Sequence, residues 1–575
     1  MIIVGINAYH ADASAAIFVN GKMVAAIEEE RFTRVKHWAG FPQLAIKFCL
    51  QEAGVTFKEV DFFAIGRDPK AKFLKKILYL AANPSGSFSA VKDRLGNSKK
   101  VSSIQKELSD ISGLPEEDFV HKVRNIEHHR SHLASAFFAS PFEEAACLSI
   151  DGSGDFSTTM TGIGKGNHIK VLQSVDFPHS IGIFYTAFTQ LLGFPHYGDE
   201  YKVMGMAPYG EPKYVDALYD VIKLTGNGLF KLNLEYFRKG TSGVVGYDEN
   251  HVPIVAPMYS EHMVKKFGAV RLKEEPLSQY HKDLAASVQR MTELVIFHIL
   301  NHLHAATGLD KVCIAGGVAQ NSVANGKITR NTPFKEVYIP SAGHDAGISM
   351  GAALYVQHQE KDQPRHTIYS AYTGSRYDNA AIRKMLDEKN IAYTQYDGDQ
   401  LYDVVTDRLI NGGVVGWFSG RAEFGPRALG GRSIIADPRR NDAKELLNSK
   451  IKRRESFRPF APSILKEYVS EYFELDEAVP FMEKVFPIKK EKQASIPAVT
   501  HVDGTGRLQS VDKEISPAYY SLIDTFRKKT GVPILLNTSF NENEPIVNTP
   551  EEALACYLRT SMDMLVMENI VVSRG

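Results

Sequence analysis

The sequence predicts an α/β protein in two parts, the first of them built from a duplicated lobe. Three observations predict it. Ile2 to Ile6 alternates like a buried strand, followed by the polar turn Asn7-Ala8-Tyr9-His10, a second strand from Ala15 to Val19, and a third from Met23 to Glu28. Asn20-Gly21 between the last two is a strong hairpin signal, because both residues accept positive φ. The same series returns at Ala146 to Ile150, the turn Asp151-Gly152-Ser153-Gly154-Asp155, Thr158 to Ile163, the turn Gly164-Lys165-Gly166-Asn167, and His168 to Val175. Finally, the chain turns polar and charged from Gln357 to Arg365, with Pro364, and strand and helix signals then resume. These signals place one domain over residues 1–358 and a second over residues 366–575.

Each strand–turn–strand–turn–strand unit is followed by helical sequence. Actin-like ATPases are arranged this way, with two acidic or glycine turns facing each other across a nucleotide cleft; chain order alone also fits an unrelated α/β fold. The stretch Asn83 to Gly113, rich in Ser, Lys and Gly, reads as a solvated surface excursion, with a lid or recognition insertion as the alternative. From Leu277 to Ala306 the apolar residues Leu284, Val288, Met291, Leu294, Val295 and Ile299 form one helical stripe. A strand, Val312 to Ala315, then leads into Gly316-Gly317-Val318-Ala319-Gln320-Asn321, and a small-residue helix spans Ile348 to Tyr355. In the second part, Gly413 to Phe418 and Pro533 to Leu536 carry strand signals.

The 575 residues balance 67 Lys+Arg against 67 Asp+Glu, so no excess of positive charge is available to hold a long nucleic acid by counterion release. The 44% apolar and 23% charged residues are ordinary globular values, which argue against disorder and fibrous structure. Cys49, Cys147, Cys313 and Cys556 stand singly in apolar runs, which indicates neither a thiolate zinc site nor a disulfide framework. The start lacks the features of a secretory signal, and no apolar run is long enough to span a bilayer. The expectation is a cytoplasmic protein with no membrane and no nucleic-acid partner; a homo-oligomer is left open.

Several constellations carry chemistry. On a helix, His128 and His132 lie at i and i+4 on one face, close enough to share a metal. His298 and His302 show the same spacing without a motif around them and read as ordinary core or surface histidines. Asp151 precedes Gly152 and Asp345 lies in the Gly-flanked turn Gly343 to Gly347, and two imidazoles with one or two carboxylates suit Fe, Mn or Zn rather than Ca. Gly316, Gly317 and Asn321 lie between a strand and a helix, where backbone N–H groups can face a nucleotide. His10, Asp12 and Lys36 are polar groups near strand ends, and His10 suits general-base work near neutrality. The second part is dense in Arg421, Arg427, Arg432, Lys450, Arg453, Arg454, Arg458 and Arg507, several beside Gly or Pro, a pattern suited to phosphate or carboxylate recognition. Asn537 to Asn541 follows a buried strand and offers amide and hydroxyl partners.

Taken together these segments resemble the O-carbamoyltransferase family, which includes nodulation-factor, cephalosporin-type and tobramycin carbamoyltransferases. The resemblance rests on Asn7 to Asp12, Glu28 to His37, His128 to His132, Gly198 to Gly205, Gly316 to Asn321, Gly425 to Gly431, His501 to Thr505 and Asn537 to Asn541, nearly end to end. It implies a duplicated actin-like (ASKHA, threonylcarbamoyl-transferase-like) N-terminal domain and a YrdC-like α/β C-terminal domain. The family's C-terminal domain makes carbamoyl-adenylate from carbamoyl phosphate and ATP, with Mg2+. Its N-terminal domain passes the carbamoyl group to a hydroxyl of a small-molecule acceptor.

Carried onto this chain, the resemblance implies a metal site of His128, His132, Asp151 and Asp345, iron as Fe2+ being the family metal. It implies His10, Asp12 and Lys36 where acceptor hydroxyl and carbamoyl group meet, and Arg427, Lys450, Arg507 and Asn537 where carbamoyl phosphate and nucleotide bind. Because Ala11 alters the His–Asp spacing of the first turn, whether His10 or Asp12 takes the proton stays open.

Overall fold

Ile2–Asn7 (β1) is buried from Ile3 onward on both faces, which suits the central strand of a sheet covered on both sides. It pairs antiparallel with Ser14–Val19 (β2), and β2 pairs antiparallel with Lys22–Glu28 (β3). Asn20 and Gly21 both take positive φ, as a two-residue turn matching the strand twist requires. On the other side of β1 lie Phe62–Ile65 (β4) and Val123–Asn125 (β5), both parallel, giving the order β3-β2-β1-β4-β5. The structure is a computed structural model that describes residues 1–82, 104–238 and 244–574.

The second sheet repeats the first. Glu144–Gly154 (β6), Ser157–Lys165 (β7) and His168–Asp176 (β8) form an antiparallel meander, and Lys311–Ala315 (β9) and Glu336–Tyr338 (β10) add in parallel on the far side of β6. The order β10-β9-β6-β7-β8 matches the first sheet strand for strand and direction for direction. This is the duplicated actin-like lobe that the chain order predicts.

Two helices join the sheets and position the chemistry. The His128–Phe137 helix and the Gly347–Leu354 helix meet at Gly351, where a Cβ would lie 1.9 Å from the Ser131 carbonyl oxygen. Gly347–Leu354 also meets β1 at Gly5, where a Cβ would lie 1.8 Å from the Ser349 carbonyl oxygen. Only glycine fits such backbone approaches. Ser14 Oγ donates to the Ala346 carbonyl at 2.7 Å, tying the first turn to the Asp345 turn.

The chain divides into compact units Met1–Ile368 and Tyr369–Gly575. Gln357 and His358, read from sequence as the start of a polar stretch, are buried in a π-helical turn. There Gln357 Nε2 donates to Gly21 O, and His358 Nδ1 donates to Gln363 O. The stretch read as a surface excursion falls mostly on residues 83–103, outside the described residues; its end forms the helix Ile104–Ser112, with Ile104 and Leu108 in the core of the first sheet. Among the described residues no helix is long and apolar enough to cross a membrane.

The second unit is an α/β domain built on a mixed eight-stranded sheet. Val415–Phe418, Arg432–Ala436 and Ile534–Ser539 lie near its centre, and Trp417, Ile434, Leu536 and Val566 help fill the core.

Candidate functional site

The His128–Phe137 helix starts at Glu127, whose carboxylate accepts the Arg130 N–H at 2.8 Å. One turn apart, His128 and His132 put their ring centroids 4.8 Å from each other. Asp151 reaches them from β6. Sequence places Asp151 in a glycine turn, but β6 runs on through it to Gly154, with the register breaking between Ile150 and Gly154. Asp151 Oδ2 lies 3.1 Å from His128 Nε2 and 3.6 Å from His132 Nε2, while Oδ1 accepts the Gly317 N–H at 2.9 Å. Asp345, just before the Gly347–Leu354 helix, closes the group: its Oδ1 is 3.4 Å from His132 Nε2 and 3.7 Å from His128 Nε2. All four residues are buried, with ligand-capable atoms within 4.8 Å of one another.

Two carboxylates in one buried spot need compensating charge. Burial raises Asp151, yet the imidazoles of His128 and His132 beside it outweigh it and hold the carboxyl well below the usual carboxylate range. Burial likewise works against Asp345, and His10 and His132 hold it low despite repulsion from Asp151. His132 is pulled down by burial but pushed up to about 9 by Asp151 and Asp345. His132 Nε2 and Asp345 Oδ1 are buried without a hydrogen-bond partner. Leaving such atoms unsatisfied costs about 1–3 kcal/mol each, a cost that a shared cation removes. The donor set therefore fits a divalent metal held by two imidazoles and two carboxylates, displacing the His132 proton on binding.

The first turn does not act as one group. His10 Nδ1 lies 2.6 Å from Asp345 Oδ2, so His10 belongs to the metal-fitting cluster. Burial lowers His10, and Asp345 outweighs that to raise it above its ordinary value. Asp12 instead accepts from His37 Nδ1 at 2.8 Å. Burial raises Asp12, but His37 outweighs that and holds it low. Lys36, one residue before, is exposed. His37 was legible only as the last residue of the Glu28 to His37 motif, with no role attached.

The Gly316 to Asn321 segment spends its polar groups internally. Gly316 N donates to Gly343 O at 2.7 Å, Gly317 N donates to Asp151, and the Asn321 amide exchanges hydrogen bonds with Gln289 while its oxygen accepts from Ala324 N. It shapes the metal-fitting cluster rather than offering a row of free amides.

In the second unit, Arg427 and Arg507 stand in a cationic cluster. Burial and the guanidinium of Arg458 push Arg427 down to about 10. Burial, Arg427, Arg454 and Arg458 hold Arg507 well below the ordinary arginine value. Arginines that repel one another in a desolvated spot form a site for a polyanion. Asn537 braces the loop, donating from Nδ2 to Ala428 O at 3.1 Å and to Ser463 Oγ at 3.0 Å. The Lys450 backbone lies in the helical turn Leu447–Lys452, and its side chain is outside the described set. Sequence reasoning missed Glu423, a buried carboxylate whose Oε1 accepts the N–H groups of Leu429, Gly431 and Arg432 and so folds the loop that presents Arg427. By contrast, Arg421 and Arg432 donate to backbone carbonyls, and Arg432 also stacks 3.6 Å over Phe418. Those two read from sequence as phosphate-suited cations and are structural.

Two family models match the chain: carbamoyltransferase N-terminus over residues 2–354 and carbamoyltransferase C-terminus over residues 406–574. Nodulation protein NolNO of Sinorhizobium fredii is 36% identical over 99% of this chain and 80% of its own length. Nodulation protein NolO of Bradyrhizobium diazoefficiens is 39% identical over 78% of this chain and 79% of its own. An uncharacterized protein of Synechocystis sp. is 42% identical over 100% of this chain and 96% of its own.

Proposed function

The chain belongs to the carbamoyltransferase family, and from that premise we propose that it is an ATP-dependent O-carbamoyltransferase acting on a hydroxylated small molecule. In the first half-reaction ATP, carbamoyl phosphate and water give carbamoyl-adenylate, pyrophosphate and phosphate, with Mg2+ accompanying ATP. In the second, an acceptor oxygen attacks the carbamoyl carbon and AMP departs with the electrons of the broken C–O bond. The acceptor class we favour is a secondary metabolite or a sugar-containing compound, handled in the cytoplasm without nucleic acid or membrane.

The arginine cluster of the second unit carries this reading. Arg427 and Arg507, lowered by burial and by each other's neighbourhood, gain most from a ligand bearing several phosphate charges. Lys450 joins them in this assignment, and Asn537 and Glu423 keep the loop in shape. In the first unit His128, His132, Asp151 and Asp345 would hold Fe2+, with Mn or Zn compatible with the same donors. When bound, that ion supplies a Lewis acid for the negative charge of the adenylate phosphate. His10 steadies Asp345 through its Nδ1. Gly316, Gly317 and Asn321 give the adenylate a shaped wall, since their polar groups already have partners. The acceptor hydroxyl is assigned to the turn carrying His10 and Asp12, with Lys36 beside it.

Incubation with ATP, carbamoyl phosphate and a panel of hydroxylated metabolites, followed by mass spectrometry, tests the reading. Carbamoyl-AMP, AMP and a product heavier by one carbamoyl group are expected. ADP as the nucleotide product, formed without need of carbamoyl phosphate, overturns it.

A further inference from the structure

Asp12 and His37 both take a left-handed backbone, with φ of 57° and 56°. Positive φ is uncommon outside glycine, and residues held there collect at functional sites. Specific contacts hold both of them. Asn7 Nδ2 donates to Ala11 O and Asp12 O at 3.1 and 3.0 Å, fixing the turn. Glu30 Oε2 accepts the His37 backbone N–H at 2.9 Å. Asp12 Oδ1, on a side chain only 10% exposed, accepts from His37 Nδ1 at 2.8 Å, and the His37 side chain is 32% exposed.

That bond leaves the other ring nitrogen facing away from Asp12. Tyr197 packs edge-on against the ring at 5.1 Å, and Gly198 clears space beside Nε2, since a Cβ there would come within 2.6 Å of it. Among the described residues no hydrogen bond is made to Nε2. A buried carboxylate, an imidazole fixed by it and an open second nitrogen form the order of an orienting group and a base. His10 is also held by a carboxylate at Nδ1, but that carboxylate is Asp345, which belongs to the metal-fitting cluster.

We propose that His37 is the catalytic base of carbamoyl transfer and that Asp12 is its positioning residue; this rests on the carbamoyl-transfer reading above. The acceptor O–H gives its proton to His37 Nε2 as its oxygen bonds to the carbamoyl carbon. The bond from that carbon to the phosphate oxygen breaks, and AMP leaves with the electron pair. The imidazolium then returns its proton to water. The ionisable groups around His37 are Asp12, Glu30, Lys36, Tyr197, Glu200 and, across Asp12, His344. Burial lowers His37, but Asp12 and Glu30 push it up to about 9 against the opposing Lys36. Transfer to an alcohol therefore climbs with pH toward that value.

The test uses the full-length, metal-loaded protein with ATP and carbamoyl phosphate and two nucleophiles. Glycerol needs a base; hydroxylamine attacks as the neutral amine and does not. His37→Gln should lower glyceryl carbamate formation by roughly 10²–10⁴-fold while hydroxyurea formation falls far less. Asp12→Asn should show the same split at smaller size, which a merely structural role would not produce. The wild-type glycerol rate should rise with pH toward about 9, and His37→Gln should lose the rise. Equal losses for both nucleophiles, no loss, or a glycerol rate that falls over that pH range overturns the proposal. Carbamoyl-phosphate-dependent exchange of pyrophosphate into ATP is followed in parallel. Its absence from the wild type overturns the carbamoyl-transfer reading itself, whereas exchange with the wrong split overturns only the role of His37.

Discussion

Two helices carry histidines one turn apart, and the molecule uses them differently. His128 and His132 face Asp151 and Asp345, which arrive from a strand and a turn far away in sequence. His298 and His302 stack on each other at 4.4 Å and spend their nitrogens on main-chain oxygens, His298 Nε2 on Thr225 O and His302 Nδ1 on His298 O. Burial lowers His298 below its ordinary value, whereas the carboxylates push His132 up to about 9. The i, i+4 spacing sets a distance between rings. What makes one pair metal-competent is the charge brought to it by other elements.

The largest effect should come from breaking the first pair. Removing one of four ligands costs more than the roughly 10–100-fold that loss of an outer-shell partner costs in metal affinity. His132→Ala should therefore purify without stoichiometric metal by elemental analysis and fail in transfer, while His298→Ala keeps both. Equal metal in the two variants would dissolve the contrast.

The second unit repeats the lesson with arginines. Arg432 is wholly buried, donates to the carbonyls of Gly420 and Ser375 and stacks on Phe418; Arg427 sits among guanidiniums. Arg427→Gln should abolish pyrophosphate exchange yet raise stability by on the order of 0.5–2 kcal/mol, since it relieves repulsion. Arg432→Gln should lower the melting temperature instead. A destabilised Arg427→Gln would mean that its neighbours are compensated by a partner in the resting protein.

Much of the fold is written locally. The alternation of β1 to β3, the Asn20-Gly21 turn and its echo at Ala146 to Val175 give the duplicated lobe, because strand period and turn chemistry are short-range properties. The His128 to His132 helix is legible for the same reason. What escapes is decided at long range. Nothing near Asp151 announces that β6 continues through it, and the meeting of Asp151 with Asp345 depends on backbone approaches at Gly5 and Gly351. His37 is hidden because its partner is 25 positions earlier in the chain. Glu423 is invisible because its partners are three amides of a loop. The Gly316 and Gly317 amides look free in sequence and are bonded in the fold.

A buried ionisable group governed mainly by burial sharpens the contrast at the smallest scale. Glu29 is 1% exposed and accepts the N–H groups of Leu44 and Ala45, at 3.1 and 2.7 Å, in the first turn of the Gln43–Ala53 helix. Burial pushes its carboxyl up to about 7, although the two amides and Lys47 pull the other way. The folded protein thus binds this proton more tightly than the unfolded chain, whose carboxyl sits near 4.5. The contribution to stability is full below that lower value and is lost as pH rises through about 7. Its size is on the order of 1–3 kcal/mol. Glu29→Gln keeps an oxygen for the helix amides and has no proton to lose. Urea denaturation at pH 5 and pH 8 should therefore show a smaller fall in stability for Glu29→Gln than for the wild type. Identical falls would mean that the two helix amides, rather than burial, set the ionisation of Glu29. Burial would then count for less than partners even where no site is built.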